Sequence, residues 1–214
     1  MNSWQRLFSL LVALGTVAED LYAMEFDFQP LSSLCRVEVN LSTNFGAGTV
    51  RGTFGKIIGK INFAPERPQI TNGKISLSSR SLRFNYAKVA FDSHSPDWLN
   101  SAQYPEISFH MNSLENFSWH GKELRAEVKG VLIIKGISKH ITMPISVHYF
   151  RTARRKYEGK AGDLLKIEGL LALPIREFSL PGGNEIDQNV EVTVSMTGAS
   201  DRVRPLLPSR LFVY

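Results

Sequence analysis

The sequence of 214 residues contains one cysteine, Cys35, so no disulfide can form within the chain. Charged residues make up only 21% and neither sign strongly dominates, since the formal net charge is +5. Intrinsically disordered chains are richer in charge and poorer in apolar residues than this one, of which 43% is hydrophobic. The composition therefore predicts one globular domain, of a size typical of a β-barrel or β-sandwich, whose stability depends on an apolar core.

Motifs for catalysis, metal binding and nucleotide binding are missing from the sequence. Ser179 lies outside any G-x-S-x-G pattern, and Gly182-Gly183 is followed by no lysine of a phosphate-binding loop. The histidines lack metal-ligand spacing, and we expect them to be solvated: His94, His110, His120, His140 and His148. We therefore expect no enzyme, no cofactor and no metal. The modest positive charge comes without a nucleic-acid recognition motif, so nucleic acid is not an expected partner.

The first residues have the pattern of an export signal. Arg6 precedes an apolar run from Leu7 to Val17 that is too short to span a membrane stably. Small residues allow cleavage after Ala18 or after Ala23, and an uncleaved membrane anchor is the alternative. We expect a periplasmic protein divided into a signal peptide, a barrel domain and a tail: 1–23, 24–198 and 199–214.

Most of the remaining chain alternates apolar and polar residues with a period of two, which is typical of antiparallel strands with one dry face. In one long segment the expected dry face consists of Leu124, Ala126, Val128, Leu132 and Ile134. The expected strands are 34–42, 48–54, 57–63, 70–84, 105–118, 122–135, 139–151, 163–177 and 188–198. Glycines near 46–59 indicate a bend, so 57–63 could continue the preceding strand around a corner.

The stretch 85–103 breaks this pattern and is the only interior place where we expect helical structure. Ser95 and Pro96 form a helix-start signal, and Tyr86 to Phe91 can form a short turn before it. The fold class expected is all-β, a closed antiparallel barrel of about eight strands with one short helical insertion. Closure leaves no exposed sheet edge.

The dry faces predict a tall, narrow apolar interior that is either packed or holds one slim ligand. We expect four residues to close one end: Phe54, Phe63, Trp98 and Leu99. The wall residues that we expect to contact a ligand are Phe109, Met111, Leu132, Ile134, Met143 and Ile145. A packed hydrophobic core is the alternative for each of these residues.

Two further features concern the surface and the cysteine. Arg151, Arg154, Arg155, Lys156 and Lys160 form a basic run, which indicates either a soluble turn or a site for an anionic membrane surface. Cys35 alternates with Val37, Val39 and Leu41, a pattern that predicts a buried, inert thiol.

Several motifs, in order along the chain, resemble those of the YceI-like family of exported bacterial proteins. The strongest is Tyr104-Pro105-Glu106-Ile107-Ser108-Phe109 followed by Gly130-Val131-Leu132-Ile133-Ile134-Lys135-Gly136-Ile137-Ser138-Lys139. Others are Gly52-Thr53-Phe54 with Gly59-Lys60-Ile61, Asp97-Trp98-Leu99, and Arg176-Glu177-Phe178. The chain departs from the family pattern at Ser32-Ser33, at Lys135 where a histidine is usual, and in the extra tail.

This resemblance implies a lipocalin-like barrel that binds a polyisoprenoid lipid, of the quinone or prenyl phosphate type, as a carrier or sequestering protein. The implied partner is that lipid. The net positive charge and the basic run favour contact with an anionic membrane surface, and a homodimer is left open. Two alternatives remain: a ligand-free stress or interaction module, and a lipid cyclase or isomerase on the same barrel.

Overall fold

The computed structural model describes residues 23–43, 48–181 and 186–205. Within them, one antiparallel sheet curls into a closed barrel with two short helices. The strands are β1 Met24–Asp27, β2 Arg36–Ser42, β3 Thr49–Phe54, β4 Ile57–Phe63, β5 Asn72–Ser78, β6 Leu82–Phe84, β7 Glu106–His120, β8 Glu123–Ile134, β9 Ile137–Phe150, β10 Leu164–Pro174 and β11 Asn189–Ala199. The helices are α1 Ala87–Asp92 and α2 Arg155–Glu158.

The eleven strands occupy eight positions around the barrel, because three of these positions hold two consecutive short strands. We call each position a stave. The staves that hold two strands are β1 with β2, β3 with β4, and β5 with β6. The hydrogen-bonded ladders show this, since β1 pairs with β4 while β2 pairs with β3, and β6 pairs with β3. The ring closes where Asp27 of β1 meets Ala199 of β11. The expected eight-stranded antiparallel barrel is confirmed, including the continuation of β3 into β4 around a bend at Gly55.

The alternation along β8 decides which side chains enter the barrel. Every second residue from Leu124 to Ile134 is buried, whereas the residues between them are exposed or half-buried. Lys135 and Gly136 join β8 to β9 with φ angles of 52° and 77°. Positive φ at both positions is typical of a two-residue hairpin turn. At Gly136 a Cβ would also lie 3.0 Å from the ring of Tyr104.

The barrel has two different ends, which we call the mouth and the floor. The mouth is formed by the β8–β9 turn, the segment 85–105 and the described residues between β10 and β11, 175–181 and 186–188. The floor is formed by the start of β1, the loop 64–71, the segment 151–163 with α2, and residues 200–205 after β11.

The segment 85–103 forms α1 and then a series of turns at the mouth. Val89 anchors α1 in the core, and the amides of Trp98 and Asn100 donate to the carbonyl oxygen of Ser95. His94 lies between these turns, with Nδ1 3.0 Å from Ser101 Oγ and Nε2 3.1 Å from the carbonyl oxygen of Leu82. The expectation of a solvated His94 was therefore wrong, because Nε2 holds the insertion to β6 and Nδ1 ties two of its turns together.

Three other details differ from the sequence-based expectation. Strand β1 was missed, because four residues give too short a pattern. Helix α2 lies inside the basic run, so 85–103 is not the only interior helical segment. The expected strand 163–177 ends at Pro174, after which Ile175–Phe178 form a 3-10 turn.

Cys35 is half-buried rather than fully buried, and its thiol lies 3.5 Å from the carbonyl oxygen of Leu31. Burial raises the pKa of this thiol. None of the described helices is long and apolar enough to cross a membrane. The expected signal peptide, residues 1–23, lies outside the described residues except for Ala23.

Candidate functional site

A cavity occupies the part of the barrel interior nearest the mouth; we call it the lumen. Its volume is about 180 Å³, counted as the space open to the centres of water molecules. A single water needs about 10–15 Å³ by this measure, so the lumen has room for a ligand well beyond one solvent molecule. Its walls come from all eight staves and from the insertion at the mouth, including Val37, Phe54, Ile75, Leu82, Trp98, Phe109, Val128, Met143, Ile167 and Val194.

The floor half of the barrel is filled instead of hollow. Phe26 and Phe63 pack edge to face with ring centroids 6.5 Å apart, and Tyr149 lies 6.3 Å from both rings. Phe28 closes against Gly198, where a Cβ would lie 3.1 Å from the Phe28 ring. The lumen therefore ends midway along the barrel, because aromatic side chains occupy the rest of the interior.

Nine of the ten residues expected to contact a ligand line the lumen. They are Phe54, Trp98, Leu99, Phe109, Met111, Leu132, Ile134, Met143 and Ile145. Phe63 does not line it: it is 1% exposed and lies in the floor. The expectation that Phe63 closes the same end as Trp98 and Leu99 was wrong, since those two residues stand at the mouth. Contact with a ligand stays a prediction for all ten.

Sequence reasoning missed several other lumen residues, chiefly on β2, β5, β10 and β11. The signal was present as alternation along each strand. The alternation could not show which of the inward residues border the cavity and which are packed against other side chains. The missed residues that border the cavity are Val37, Val39, Leu41, Ile75, Leu77, Leu171, Val190, Val192, Val194 and Met196.

The lumen wall is almost wholly apolar. Among the described residues that line it, only Ser93 and Trp98 have a polar group in the side chain. The carboxyl groups with perturbed pKa lie on the outer face: Lys74 lowers the pKa of Glu106, and Arg125 lowers that of Glu123. No group of metal ligands occurs in the described ranges 23–43, 48–181 and 186–205. The wall suits a hydrocarbon, whose burial needs no polar partner.

Charge appears at the mouth. Lys139 lies opposite Leu132 in the β8–β9 register, so it belongs to the inward-facing set at the top of the wall. Its Nζ is 3.9 Å from Glu177 Oε2, and both side chains are about half exposed. Lys135 donates to the carbonyl oxygen of Asp97 at 3.1 Å. An apolar well with a polar rim is the form of site that holds an amphiphile.

The basic run lies at the floor, away from the lumen. Arg154 is buried, donates to Glu158 at 2.7 Å and to Asp201 at 2.6 Å, and ties α2 to the residues after β11. Arg151 donates to the carbonyl oxygen of Arg204. Two of the five cations therefore hold the floor together, and Arg155, Lys156 and Lys160 are exposed.

Comparison with known proteins agrees with this architecture. The model of the YceI-like domain family matches residues 29–198, which is most of the chain. The chain belongs to the YceI-like family. A UPF0312 protein of Pseudomonas savastanoi is 24% identical over 163 residues, covering 75% of this chain and 79% of that protein. The family resemblance noted in the sequence is confirmed.

Two solved structures share the fold of this YceI-like chain. BcnA of Burkholderia cenocepacia has a TM-score of 0.60 at 17% identity, covering 75% of this chain and 95% of BcnA. A polyisoprenoid binding domain from Saccharophagus degradans, implicated in plant cell wall breakdown, has a TM-score of 0.59 at 11% identity, covering 84% of this chain and 99% of that domain. At these identities the likeness concerns the fold alone.

Proposed function

We propose that this YceI-like protein holds the hydrocarbon chain of an isoprenoid lipid in its lumen, as a carrier or sequestering protein. The observation that carries the proposal is the lumen itself, an apolar cavity within a closed barrel and with a charged rim. The structural similarity to a polyisoprenoid binding domain supports it. A quinone or a prenyl phosphate provides the apolar chain and the polar head that such a site can hold.

The apolar contribution is large enough to drive binding. Burial of a CH2 group gains about 0.8 kcal/mol, so a five-carbon prenyl unit gains about 4 kcal/mol before the costs of association. Those costs are about 4–15 kcal/mol. A few buried units therefore offset them, and the wall needs no hydrogen bond to the chain. Affinity then depends on how many units are buried.

We further propose that the protein acts in the periplasm after removal of an export signal. The N-terminal pattern around Arg6 and the apolar run supports this, together with a lone cysteine that leaves the fold independent of disulfides. A water-filled compartment between two membranes also gives a reason for a carrier, because a free isoprenoid chain is insoluble there. Fractionation of the bacterial envelope, with N-terminal sequencing of the mature protein, tests location and cleavage together.

Two alternatives are less well supported. A ligand-free interaction module would be favoured by a filled interior, whereas the mouth half of this barrel is hollow. An enzyme acting on a bound lipid requires an acid or base beside the reacting bond, and the described lumen wall offers only the Ser93 hydroxyl. The non-enzymatic assignment stays a prediction, and it agrees with a binding role.

Displacement of an environment-sensitive apolar dye from the lumen tests the proposal. Prenyl phosphates and quinones of the same chain length should displace the dye, whereas the isolated polar heads should not. Comparing the two heads also tests the rim, since a Lys139→Gln variant should weaken a phosphate more than a quinone. If no prenyl compound displaces the dye, the lumen does not serve isoprenoids.

A further inference from the structure

The ladder between β9 and β10 covers only the floor half of the barrel. These strands pair from Leu164↔Phe150 to Gly169↔Ile145, and there the pairing stops. Beyond that point β9 remains paired with β8 as far as Ile134↔Ile137, and β10 remains paired with β11 as far as Pro174↔Asn189. Two edges therefore face each other without a shared ladder. We call this gap in the ladder the slot; its edges are residues 137–144 and 170–174.

Pro144 explains where the slot begins. The carbonyl oxygen of Pro144 points towards β10, since it lies 3.2 Å from the position that a Cβ would take on Gly169. In an antiparallel strand the N–H and C=O of one residue point to the same neighbour, so the next donor to β10 would be the nitrogen of Pro144. Proline has no N–H, and the ladder loses its next hydrogen bond.

Both edges of the slot contribute side chains to the lumen wall. Ile141 and Met143 on one edge, and Leu171 and Leu173 on the other, all line the lumen. Ile141 and Leu171 are half-buried, as are Val39, Phe109 and Val194 elsewhere on the wall, whereas Leu170 on the outer face is 51% exposed. Apolar side chains therefore follow one another along this edge, from Leu171 and Leu173 at the lumen to Leu170 on the outer face.

The lumen is short in relation to long isoprenoids. Its lining follows β10 from Ile167 to Leu173 and ends at Ile175. At about 3.3 Å per residue and a strand tilt of about 40°, this corresponds to a depth of roughly 20 Å. An extended chain advances roughly 1.2 Å per bond and a prenyl unit adds four backbone bonds, so the lumen accommodates about four units. The aromatic floor stops the chain from going deeper.

We infer that isoprenoid chains longer than the lumen cross the barrel wall through the slot, and that the outer surface beside Leu170 holds the part outside. The inference rests on the proposed function. A chain that crosses the wall between Met143 and Leu171 meets few unpaired backbone groups, because it passes across the two edges rather than along them. The slot thus allows this protein to discriminate between ligands by the length of the isoprenoid chain as well as by the polar head group.

The test bars the slot with a crosslink. Continuing the β9–β10 register sets Thr142 opposite Ala172, and both side chains are exposed on the outer face. The variant carries Thr142→Cys and Ala172→Cys in a Cys35→Ser background, and is closed with an oxidant or, across a wider opening, with a bis-maleimide. The control carries Ala172→Cys and Glu191→Cys in the same background, because these residues are already paired across β10 and β11.

Binding of prenyl alcohols with three and with nine units is measured before and after closure. We expect closure to weaken the nine-unit alcohol at least tenfold and to change the three-unit alcohol less than twofold, with no effect of the control crosslink. An equal effect on both alcohols, or no effect on either, overturns the inference while leaving the lumen as the binding site. Failure of both alcohols to bind the uncrosslinked protein would instead reject the proposed function.

Discussion

Tyr149 donates a hydrogen bond from its hydroxyl to Asp163 Oδ2 at 2.6 Å, and this contact joins the end of β9 to the start of β10. The same carboxylate accepts from the amides of Thr152 at 2.7 Å and Arg204 at 2.9 Å. Asp163 is fully buried. The Asp163 carboxylate therefore links Tyr149 in the floor, the β9–β10 connection and the residues that follow β11.

We expect Asp163→Ala to be among the most destabilising polar substitutions in the chain. It leaves the donors of Tyr149, Thr152 and Arg204 without their acceptor; the Arg204 contact is buried and the other two are partly buried. A buried donor without an acceptor costs about 1–3 kcal/mol. The free energy of unfolding should fall by roughly 3 kcal/mol or more in urea titrations. Tyr149→Phe removes only one of the three donors and should cost about 1.5 kcal/mol. Equal losses in the two variants would contradict a shared acceptor.

The two phenylalanines that were expected to act together should behave differently. Phe63→Ala empties a filled floor and should cost about 3–5 kcal/mol of stability with little change in prenyl affinity. Phe54→Ala enlarges an existing cavity, so it should cost less stability and lower affinity several-fold. Thermal unfolding and dye displacement on both variants separate the roles. The opposite pattern would place the lumen at the wrong end of the barrel.

Cys35 should react slowly in the folded protein. Burial raises its pKa, and a raised pKa leaves less thiolate at a given pH. Alkylation by iodoacetamide at pH 8 should therefore be about tenfold slower than that of a free cysteine, and unfolding in urea should abolish the difference. Mass spectrometry of quenched samples gives both rates. A folded-state rate equal to the unfolded one would mean that the thiol is not shielded.

The dry face of β8 could be predicted because a period of two is a local property of the sequence. The same holds for the lumen residues proposed on β7, β8 and β9. The filled floor could not be predicted, since Phe26 and Phe63 meet only after β1 pairs with β4, and an inward phenylalanine looks the same in sequence whether it borders space or another ring. The slot was equally hidden, because Pro144 breaks a ladder only in the register that places it beside Gly169.

Charges were harder to place than apolar residues. Arg154 and Arg155 are neighbours in one basic run, yet Arg154 is buried against Glu158 and Asp201 while Arg155 is exposed. Their difference arises from the return of residues 200–201 to the floor, a contact between segments more than forty residues apart. The charged rim of the mouth also depends on a contact between separate segments, since Lys139 on β9 and Glu177 after β10 meet across the top of the slot.

The most direct measurement of the central claim is the lipid that purifies with the protein. Val194 faces the lumen, whereas Ser195 is the next residue on the outer face of β11. Lipid extracts of the wild type, Val194→Trp and Ser195→Trp are compared by mass spectrometry for compounds that differ by five-carbon units. The account predicts prenyl lipid in the wild type and in Ser195→Trp, and at least a tenfold lower molar ratio in the folded Val194→Trp variant. Equal amounts in all three proteins, or no prenyl lipid in any of them, would contradict it.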